Sequence, residues 1–381
     1  AGTTERLKID ASGLTINGSA LALGATSING LTDGYNVGNS VGLGTGALAN
    51  DDGSANKNTA VGTNALYTNT TGYWNTASGY KALYANTTGD RNTATGHSAL
   101  LSNTSGGANT ASGYTALKTN TSGARNTASG YTALMNNTTG NDNTATGSYA
   151  LRANTTGAQN TAHGRGSLQS NSTGGLNTAN GYYSLFSNTT GYSNTASGYK
   201  ALFSNTTASN NTASGMYALR ANTTGASNSA IGYKALNYNT SGYRNTATGW
   251  HSLTANTTGI SNTASGGYSL KSNTTGQYST ANGYDALKRN TTGTKNIGLG
   301  YGAGDMITTG ANNTIIGDYA GTAALADTVV IAAGTTERLK IDASGLTING
   351  SALALGATNI NGLSDGYAVT TSVGLGTGAL T

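Results

Sequence analysis

Small apolar residues recur along this chain at a fixed spacing between polar ones. From Asn58 the unit N-T-A-x-G-Y-x-A-L-x-x-N-T-T-G-x-x repeats every 17 residues, fifteen times and without insertion, through Asn312. We number its positions one to seventeen. Ala occupies most third and eighth positions, and Leu occupies the ninth in fourteen units. Such strict self-similarity predicts that each unit closes one turn of a stacked structure.

The polar positions indicate which kind of turn is stacked. Helical repeats need about 30 residues or more per unit, and Asn, Thr, Ser and Gly oppose helix interiors. The sequence therefore predicts an all-β protein, a β-solenoid or β-roll of 17-residue coils joined by short β-rich connectors. Each coil is expected to be a short strand pair with two corners. Gly at positions five and fifteen suits corners that need positive φ or a close backbone approach.

Stacking also predicts a structural role for the polar repeat positions. Identical residues of neighbouring coils should lie about 4.8 Å apart. Asn occupies positions one and twelve in fourteen units each, so we expect amide ladders like those of other cross-β stacks. The predicted structural ladder also includes the recurring Gly and Leu residues. Its members in two example coils are Asn75, Gly79, Leu83, Asn86 and Gly89 in the first and Asn194, Gly198, Leu202 and Asn205 in the second.

A second, longer repeat predicts the domain organisation. Residues 1–48 and 333–380 align at an offset of 332 and differ at five positions. We therefore predict a β-rich connector at 1–39, a solenoid with an apolar exit region at 40–329, a second connector at 330–371 and the start of another solenoid at 372–381. Within the first connector, the runs Leu7–Ile9 and Leu14–Ile16 flank Gly13 and predict a β-hairpin. Our hypothesis is that the natural polypeptide strings several such modules together.

Composition limits the core and several classes of chemistry. The 381 residues include 58 Gly and 22 Tyr, but only two Phe, two Trp and three Met, with no Cys and no Pro. Because large apolar side chains are scarce, the core of a single chain should be thin. Sharing a core between chains would stabilise it, so we predict a homo-oligomer, most simply a trimer. The lack of Cys excludes disulfides, thiolate metal sites and a Cys nucleophile. No apolar stretch reaches 18 residues, so we expect no membrane insertion.

Catalysis and cofactor binding are not predicted. The three histidines occupy different repeat positions and have no Asp or Glu nearby in sequence, so we predict that the protein is not an enzyme and has no catalytic residues. The run Gly298–Gly304 is similar to a dinucleotide loop, but it lacks the helix that such a fingerprint opens. We therefore predict no cofactor-binding residues. The histidines are His97, His163 and His251.

Metal binding and glycosylation are also disfavoured. Only Asp90, Asp142 and Asp285 are acidic between residues 58 and 295, which argues against the regular Asp repeats of calcium-binding β-rolls. Binding of a single metal ion near Asp51–Asp52 or Asp305 is an alternative, but no metal site is predicted. Position twelve opens an N-x-S/T sequon in fourteen units. One glycan per coil would be too crowded, so the ladder interpretation is preferred.

Two surface features suggest ligands. Stacked Thr residues raise an ice-binding hypothesis, which is weaker because the Thr pair at positions thirteen and fourteen adjoins a Gly and suggests a corner. Between residues 58 and 295, fourteen basic and three acidic residues give a net charge of +11. This excess serves solubility or attracts polyanionic surfaces or glycans; no nucleic acid is predicted. Candidate contact residues are Tyr80, Lys81, Tyr199, Lys200, Tyr233 and Lys234.

Several segments resemble known fibre proteins. The stretches Asn228–Tyr233, Asn296–Tyr301 and Ser40–Gly44 resemble the S-V-A-I-G repeats of trimeric autotransporter adhesin heads. The connector G-T-T-E-R-L-K-I-D-A-S-G resembles segments of phage tail fibres and of bacterial surface fibres. These resemblances imply a trimeric β-roll that is extracellular, on a cell surface or on a virion. We expect a structural segment of a modular extracellular fibre, with a glycan-binding adhesin or tail fibre as the alternative.

Overall fold

The chain folds as the β-solenoid that its 17-residue repeat predicts. The computed structural model describes residues 7–10, 13–16, 19–21, 34–37, 39–54 and 56–353. The chain divides into two units, Ala1–Ala196 and Ser197–Thr381. In each unit, consecutive coils contribute one short strand to a parallel ladder, and antiparallel strands from the connector sequences extend it. The predicted all-β class is confirmed for the described residues.

The twenty-five described strands are short, and most have three residues. They are β1 Leu7–Asp10, β2 Gly13–Ile16, β3 Ser19–Leu21, β4 Gly34–Val37, β5 Ser40–Leu43, β6 Thr59–Val61, β7 Thr76–Ser78, β8 Thr93–Thr95, β9 Thr110–Ser112, β10 Thr127–Ser129, β11 Thr144–Thr146, β12 Thr161–His163, β13 Thr178–Asn180, β14 Thr195–Ser197, β15 Thr212–Ser214, β16 Ser229–Ile231, β17 Thr246–Thr248, β18 Thr263–Ser265, β19 Thr280–Asn282, β20 Ile297–Leu299, β21 Thr314–Ile316, β22 Val329–Ala333, β23 Thr336–Asp342, β24 Gly345–Ile348 and β25 Ser351–Leu353.

In the first unit, strands β5 to β13 form one parallel ladder in register. Thr76 lies opposite Thr93, and the same 17-residue offset holds along the ladder, except that Val41 pairs with Thr59. Strand β4 pairs antiparallel with β5. Strands β1, β2 and β3 form a separate antiparallel sheet. The hairpin predicted at Leu7–Ile16 is thereby confirmed, since Leu7 pairs with Ile16.

In the second unit, strands β15 to β22 form a parallel ladder that ends in antiparallel strands. The offset shortens to 15 residues between Thr314 and Val329. Strand β22 then pairs antiparallel with β23, which belongs to the second connector copy. Leu339 pairs with Ile348, in the register that the first copy has. The predicted boundary between 329 and 330 falls inside β22, and the predicted boundary at 371–372 lies outside the described residues.

Each coil contains one strand, so the predicted strand pair per coil is wrong. Only positions two to four are extended, and turns occupy most of the remainder. The turns still bond to neighbouring coils. The N–H of Leu83 donates to the carbonyl of Ala99 at 3.0 Å, and the N–H groups of residues 87–89 converge on the carbonyl of Thr104 at 3.0, 3.1 and 3.2 Å. Hydrogen bonding between coils therefore continues where regular strand geometry ends.

In most coils the core consists of two Ala and one Leu, together with two Asn side chains. Ala77, Ala82 and Leu83 have no exposed surface. Leu83 has a φ of 52°, and the ninth residue has positive φ in other coils as well. Left-handed backbone costs an L-residue about 1–2 kcal/mol. The stacking contacts of Leu therefore hold it in a conformation that its own backbone preference opposes.

Candidate functional site: the amide ladders and the exposed stripes

Within each unit, the Asn side chains at position twelve form a chain of hydrogen bonds from coil to coil. Asn86 donates from Nδ2 to Oδ1 of Asn69 at 2.8 Å and to the carbonyl of Gly89 at 2.9 Å. Its own Oδ1 accepts from Nδ2 of Asn103 at 2.8 Å. These side chains are fully buried. Because buried amides are stabilised only when they are bonded, each coil requires its neighbours to satisfy its Asn.

The Asn side chains at position one form a second amide ladder, which also hydrogen-bonds backbone groups of neighbouring coils. Asn75 donates from Nδ2 to the carbonyl of Gly89 at 2.8 Å, and its N–H donates to Oδ1 of Asn58 at 2.9 Å. The carbonyl of Gly89 thus accepts two amides, from Asn75 and Asn86. Asn194 repeats this pattern, since its N–H donates to Oδ1 of Asn177 at 3.0 Å.

The remaining ladder residues lie in equivalent places. Asn205 donates from Nδ2 to the carbonyl of Ala208 at 2.9 Å, and Leu202 is fully buried. Gly79 has a φ of 135° and Gly198 a φ of 129°. Gly89 has no positive φ, but a Cβ there would lie 2.5 Å from both Gly106 O and Asn86 Oδ1. Close approach, and not backbone conformation, therefore favours glycine at position fifteen, although Ala208 occupies this position in one coil.

The buried position-twelve amides bear on the glycosylation hypothesis, and the neighbouring Thr hydroxyls bear on the ice-binding hypothesis. A glycan at Asn86 would need a side chain that is both exposed and unbonded, whereas Asn86 is buried and bonded. The hydroxyls at position thirteen are also engaged, since Thr87 donates from Oγ1 to the carbonyl of Thr104 at 3.1 Å. The sequons are therefore ladder elements, and the position-thirteen hydroxyls stabilise the stack.

The outward face of the parallel strands changes character within the second unit. We call the side chains at positions two and four the strand face. In most coils it carries Thr, Ser or Asn. In the last coils it carries large apolar residues instead. Ile297, Leu299, Ile316 and Ile331 are exposed over 44%, 45%, 37% and 41% of their surface. Register places Leu299, Ile316 and Ile331 in one row across three strands.

Exposed aromatic rings at position six stack from coil to coil in the first unit. Tyr80 lies 5.0 Å from His97, His97 lies 5.1 Å from Tyr114, and Tyr114 lies 5.5 Å from Tyr131 between ring centroids. Lys81 Nζ lies 5.3 Å from the Tyr80 ring. The stacked rings cover one another's faces and present their edges to solvent.

The second unit brings basic and aromatic side chains together at the same corner. Lys200 Nζ lies 5.3 Å from the Tyr199 ring, and Lys234 Nζ lies 5.1 Å from the Tyr233 ring. These four residues were candidates from sequence. Sequence reasoning missed the equivalent pairs in which Tyr occupies position seven and the cation position ten. The signal was present, because these residues are three apart in the coil: Tyr217 with Arg220 and Tyr268 with Lys271.

The histidines lie at separate sites. Nδ1 of His97 is 3.0 Å from Ser98 Oγ, and Nδ1 of His251 is 3.3 Å from Thr254 Oγ1. His163 lies on the exposed strand face. Burial, and then the charges of Lys234 and Lys271, lower the pKa of His251 below its usual value.

The carboxylates singled out by sequence lie in different environments. Asp51 accepts from the N–H of Gly53 and from Asn56 Nδ2 at 3.2 and 3.1 Å. Hydrogen bonds from Ser54 lower the pKa of Asp52. Burial raises the pKa of Asp305. Within the described residues, no three His, Asp or Glu side chains come together as a metal site would require.

Comparison with known proteins assigns no family to this chain. No family model and no curated protein significantly matches this chain. No helix among the described residues is long and apolar enough to cross a membrane.

Proposed function

We propose that this chain is a structural segment of a modular extracellular fibre, without catalysis, on a cell surface or a virion. The observation that carries the proposal is the bonding of each coil to its neighbours through backbone groups and two buried amide ladders. Asn120, for example, donates to Asn103 at 2.7 Å and accepts from Asn137 at 2.8 Å. Since these bonds run from coil to coil, a pull along the stack loads many of them together.

The connector supports a modular arrangement. Its sequence occurs twice, and β23, β24 and β25 repeat the antiparallel pairing of β1, β2 and β3. In the second copy, β23 continues the ladder from the last coil through β22. A connector that pairs with a coil in this way joins modules through backbone hydrogen bonds. The resemblance to tail fibres and surface fibres supports the extracellular location.

The apolar part of the strand face supports assembly into a homo-oligomer, most simply a trimer. Ile297, Leu299, Ile316 and Ile331 lie side by side on an exposed face. Burying such side chains contributes roughly 25 cal/mol per Å² of apolar surface. A second copy offers the same apolar row and needs no charged partner. Contact between copies would also enlarge a core that a single chain fills mainly with Ala and Leu.

Substitution of Ile316 by Asp tests this proposal. We expect the purified full chain to form oligomeric rods under the electron microscope, with a light-scattering mass near three chains. Ile316→Asp should reduce that mass to one chain, because a carboxylate would be desolvated at the contact. Ser265→Asp is the matched control, since Ser265 occupies position four of a coil whose strand face is polar. A monomeric, globular wild-type particle would contradict the proposal.

A second candidate function is a glycan-binding adhesin or tail fibre. The observation that favours it is the exposed aromatic and basic surface at positions six, seven and ten. Tyr80, Tyr199 and Tyr284 are exposed over 45%, 38% and 46% of their surface. We expect the isolated chain to bind acidic members of a glycan array and to leave neutral ones unbound. An array without any binding would eliminate this second candidate and leave the fibre proposal intact.

A further inference from the structure

A line of basic side chains follows one corner of the second unit, with four cations and one imidazole distributed over five consecutive coils. We call this set the basic stripe: Lys200, Arg220, Lys234, His251 and Lys271. Each lies at position seven or ten. Neighbouring coils are about 4.8 Å apart, so the stripe extends over roughly 19 Å, with a cation at each end. The net charge of residues 197–295 is +7, from eight basic residues and one Asp.

Aromatic rings hold the members of the basic stripe. The distances from the charged group to the ring centroid are 5.3 Å for Lys200 over Tyr199, 5.5 Å for Arg220 over Tyr217, 5.1 Å for Lys234 over Tyr233 and 4.7 Å for Lys271 over Tyr268. Cation–π contacts restrain these long side chains. The restraint lowers the entropy that a ligand would otherwise have to remove on binding.

His251 lies between two lysines of the stripe. Its ring contacts Tyr233, Trp250 and Tyr268 at centroid distances of 5.4, 5.0 and 5.7 Å. Lys234 and Lys271 both act on its pKa. One of these lysines belongs to the preceding coil and the other to the following coil. Their fields therefore overlap at His251, and a ligand along the stripe would meet a line of positive charge.

We propose that the basic stripe binds a linear acidic polysaccharide, whose carboxylate or sulfate groups lie along the stack and contact Lys200, Arg220, Lys234 and Lys271. The proposal rests on the second candidate function and gives it a site and a ligand class. None of these four cations has a carboxylate salt-bridge partner within the described residues. Lys288 in the next coil differs, because it pairs with Asp285 at 2.9 Å, so the stripe ends before it.

The ring geometry favours a polysaccharide over single-stranded nucleic acid. Nucleic-acid binding sites of that kind stack bases on exposed aromatic faces. Here the Tyr268 ring has Lys271 at 4.7 Å, Lys288 at 5.4 Å and the stacked His251 ring at 5.7 Å. Its faces are therefore occupied. Phenol hydroxyls and ring edges can instead bond sugar hydroxyls, while the cations attract the acidic groups.

Paired substitutions of equal charge test the stripe. Lys234→Gln with Lys271→Gln removes two stripe cations. Arg244→Gln with Lys295→Gln removes two cations at position seventeen, on another corner. For the full chain, we expect the stripe variant to bind an oligogalacturonate of defined length about tenfold more weakly in calorimetry, while the control changes less than about twofold. Binding by wild type should weaken with added salt.

The outcomes separate the stripe from the broader adhesin function. Equal losses in the two variants, or none in either, would overturn the stripe but leave a glycan-binding adhesin standing. If the wild-type chain binds no glycan, both ideas fail. If oligothymidylate binds more tightly than oligogalacturonate, and the stripe variant loses that binding, the site is a nucleic-acid site and the polysaccharide proposal is wrong. A neutral dextran oligosaccharide should not bind.

His251 supplies a readout that general charge attraction would not move. Bound carboxylates would offset the charges of Lys234 and Lys271, so the pKa of His251 should rise when oligogalacturonate is added. Its titration by NMR measures this rise directly, with His163, on the strand face, as an internal control. The groups that face His251 are Tyr233, Lys234, Trp250, Thr254, Tyr268 and Lys271. An unchanged His251 titration at saturating ligand would contradict the proposed placement.

Discussion

Replacing Gly130 by Ala is expected to destabilise the first unit by about 4 kcal/mol. Gly130 has a φ of 136°, and a Cβ there would lie 2.7 Å from both the carbonyl carbon and the carbonyl oxygen of Gly147. Backbone held in a sparsely populated region costs a residue about 1–3 kcal/mol, and overpacking adds about 1–3 kcal/mol. The clashing atoms belong to the main chain of the next coil, so no side-chain rotation relieves them. Urea unfolding measures the loss.

Gly107→Ala is the matched control within the same unit. A Cβ at Gly107 would lie 2.6 Å from Oδ1 of Asp90, and no positive φ is present. Because Asp90 can rotate its side chain, the expected loss is below about 1 kcal/mol. Amide exchange should also rise in the coils that flank Gly130, since each coil is stabilised by its neighbours. Equal stability of the two variants would show that the close coil contact is not rigid.

The period and the stacking of this fold were predictable from the sequence, for a physical reason. A strict 17-residue repeat without insertions allows identical residues to lie above one another, and Asn at two fixed positions has amide partners only in such a stack. Leu83 and Ala82 were recognisable as core because they are the apolar positions that recur. The ladder geometry of Asn86 therefore follows from periodicity together with the hydrogen-bonding capacity of amides.

The conformation inside a coil was not predictable from the same pattern. Leu83 and Lys81 adopt φ values of 52° and 53°, although neither residue favours left-handed backbone. Stacking contacts decide these conformations, and periodicity carries no information about them. The predicted second strand failed for the same reason, because the turn residues reach neighbouring coils without extended geometry. The pairing of position-seven Tyr with position-ten cations likewise depends on a turn whose shape the sequence did not reveal.

Replacing Asn120 by Asp should produce a second large loss, although the two side chains have nearly the same shape. Nδ2 of Asn120 donates to Oδ1 of Asn103 at 2.7 Å and to the carbonyl of Gly123 at 2.9 Å. A carboxylate oxygen in place of Nδ2 would have no proton to donate and would face two acceptor oxygens. Asn120 is fully buried, and an uncompensated buried charge costs about 3–5 kcal/mol. We expect the free energy of unfolding of the first unit to fall by about 4 kcal/mol at neutral pH.

The pH dependence of this variant distinguishes lost hydrogen bonds from lost packing. Burial and the facing acceptors disfavour the charged carboxylate, so the pKa of Asp at position 120 should be raised in the folded state above the unfolded value of about 3.9. An acid with a raised folded pKa destabilises most above that pKa. The loss should shrink as pH falls through the folded pKa, because the protonated acid can again donate one bond. Urea unfolding across the acidic range measures this recovery.

Asn180→Asp is the control that carries the same chemical change to an exposed place. Asn180 lies at position four of its coil, at the end of β13 on the exposed strand face, where water solvates a carboxylate. Its expected effect is below about 0.5 kcal/mol and nearly independent of pH. If Asn120→Asp is equally mild, the amide ladder does not hold neighbouring coils together, and the structural proposal loses its main support. A large loss that stays constant from acidic to neutral pH would instead assign the effect to packing.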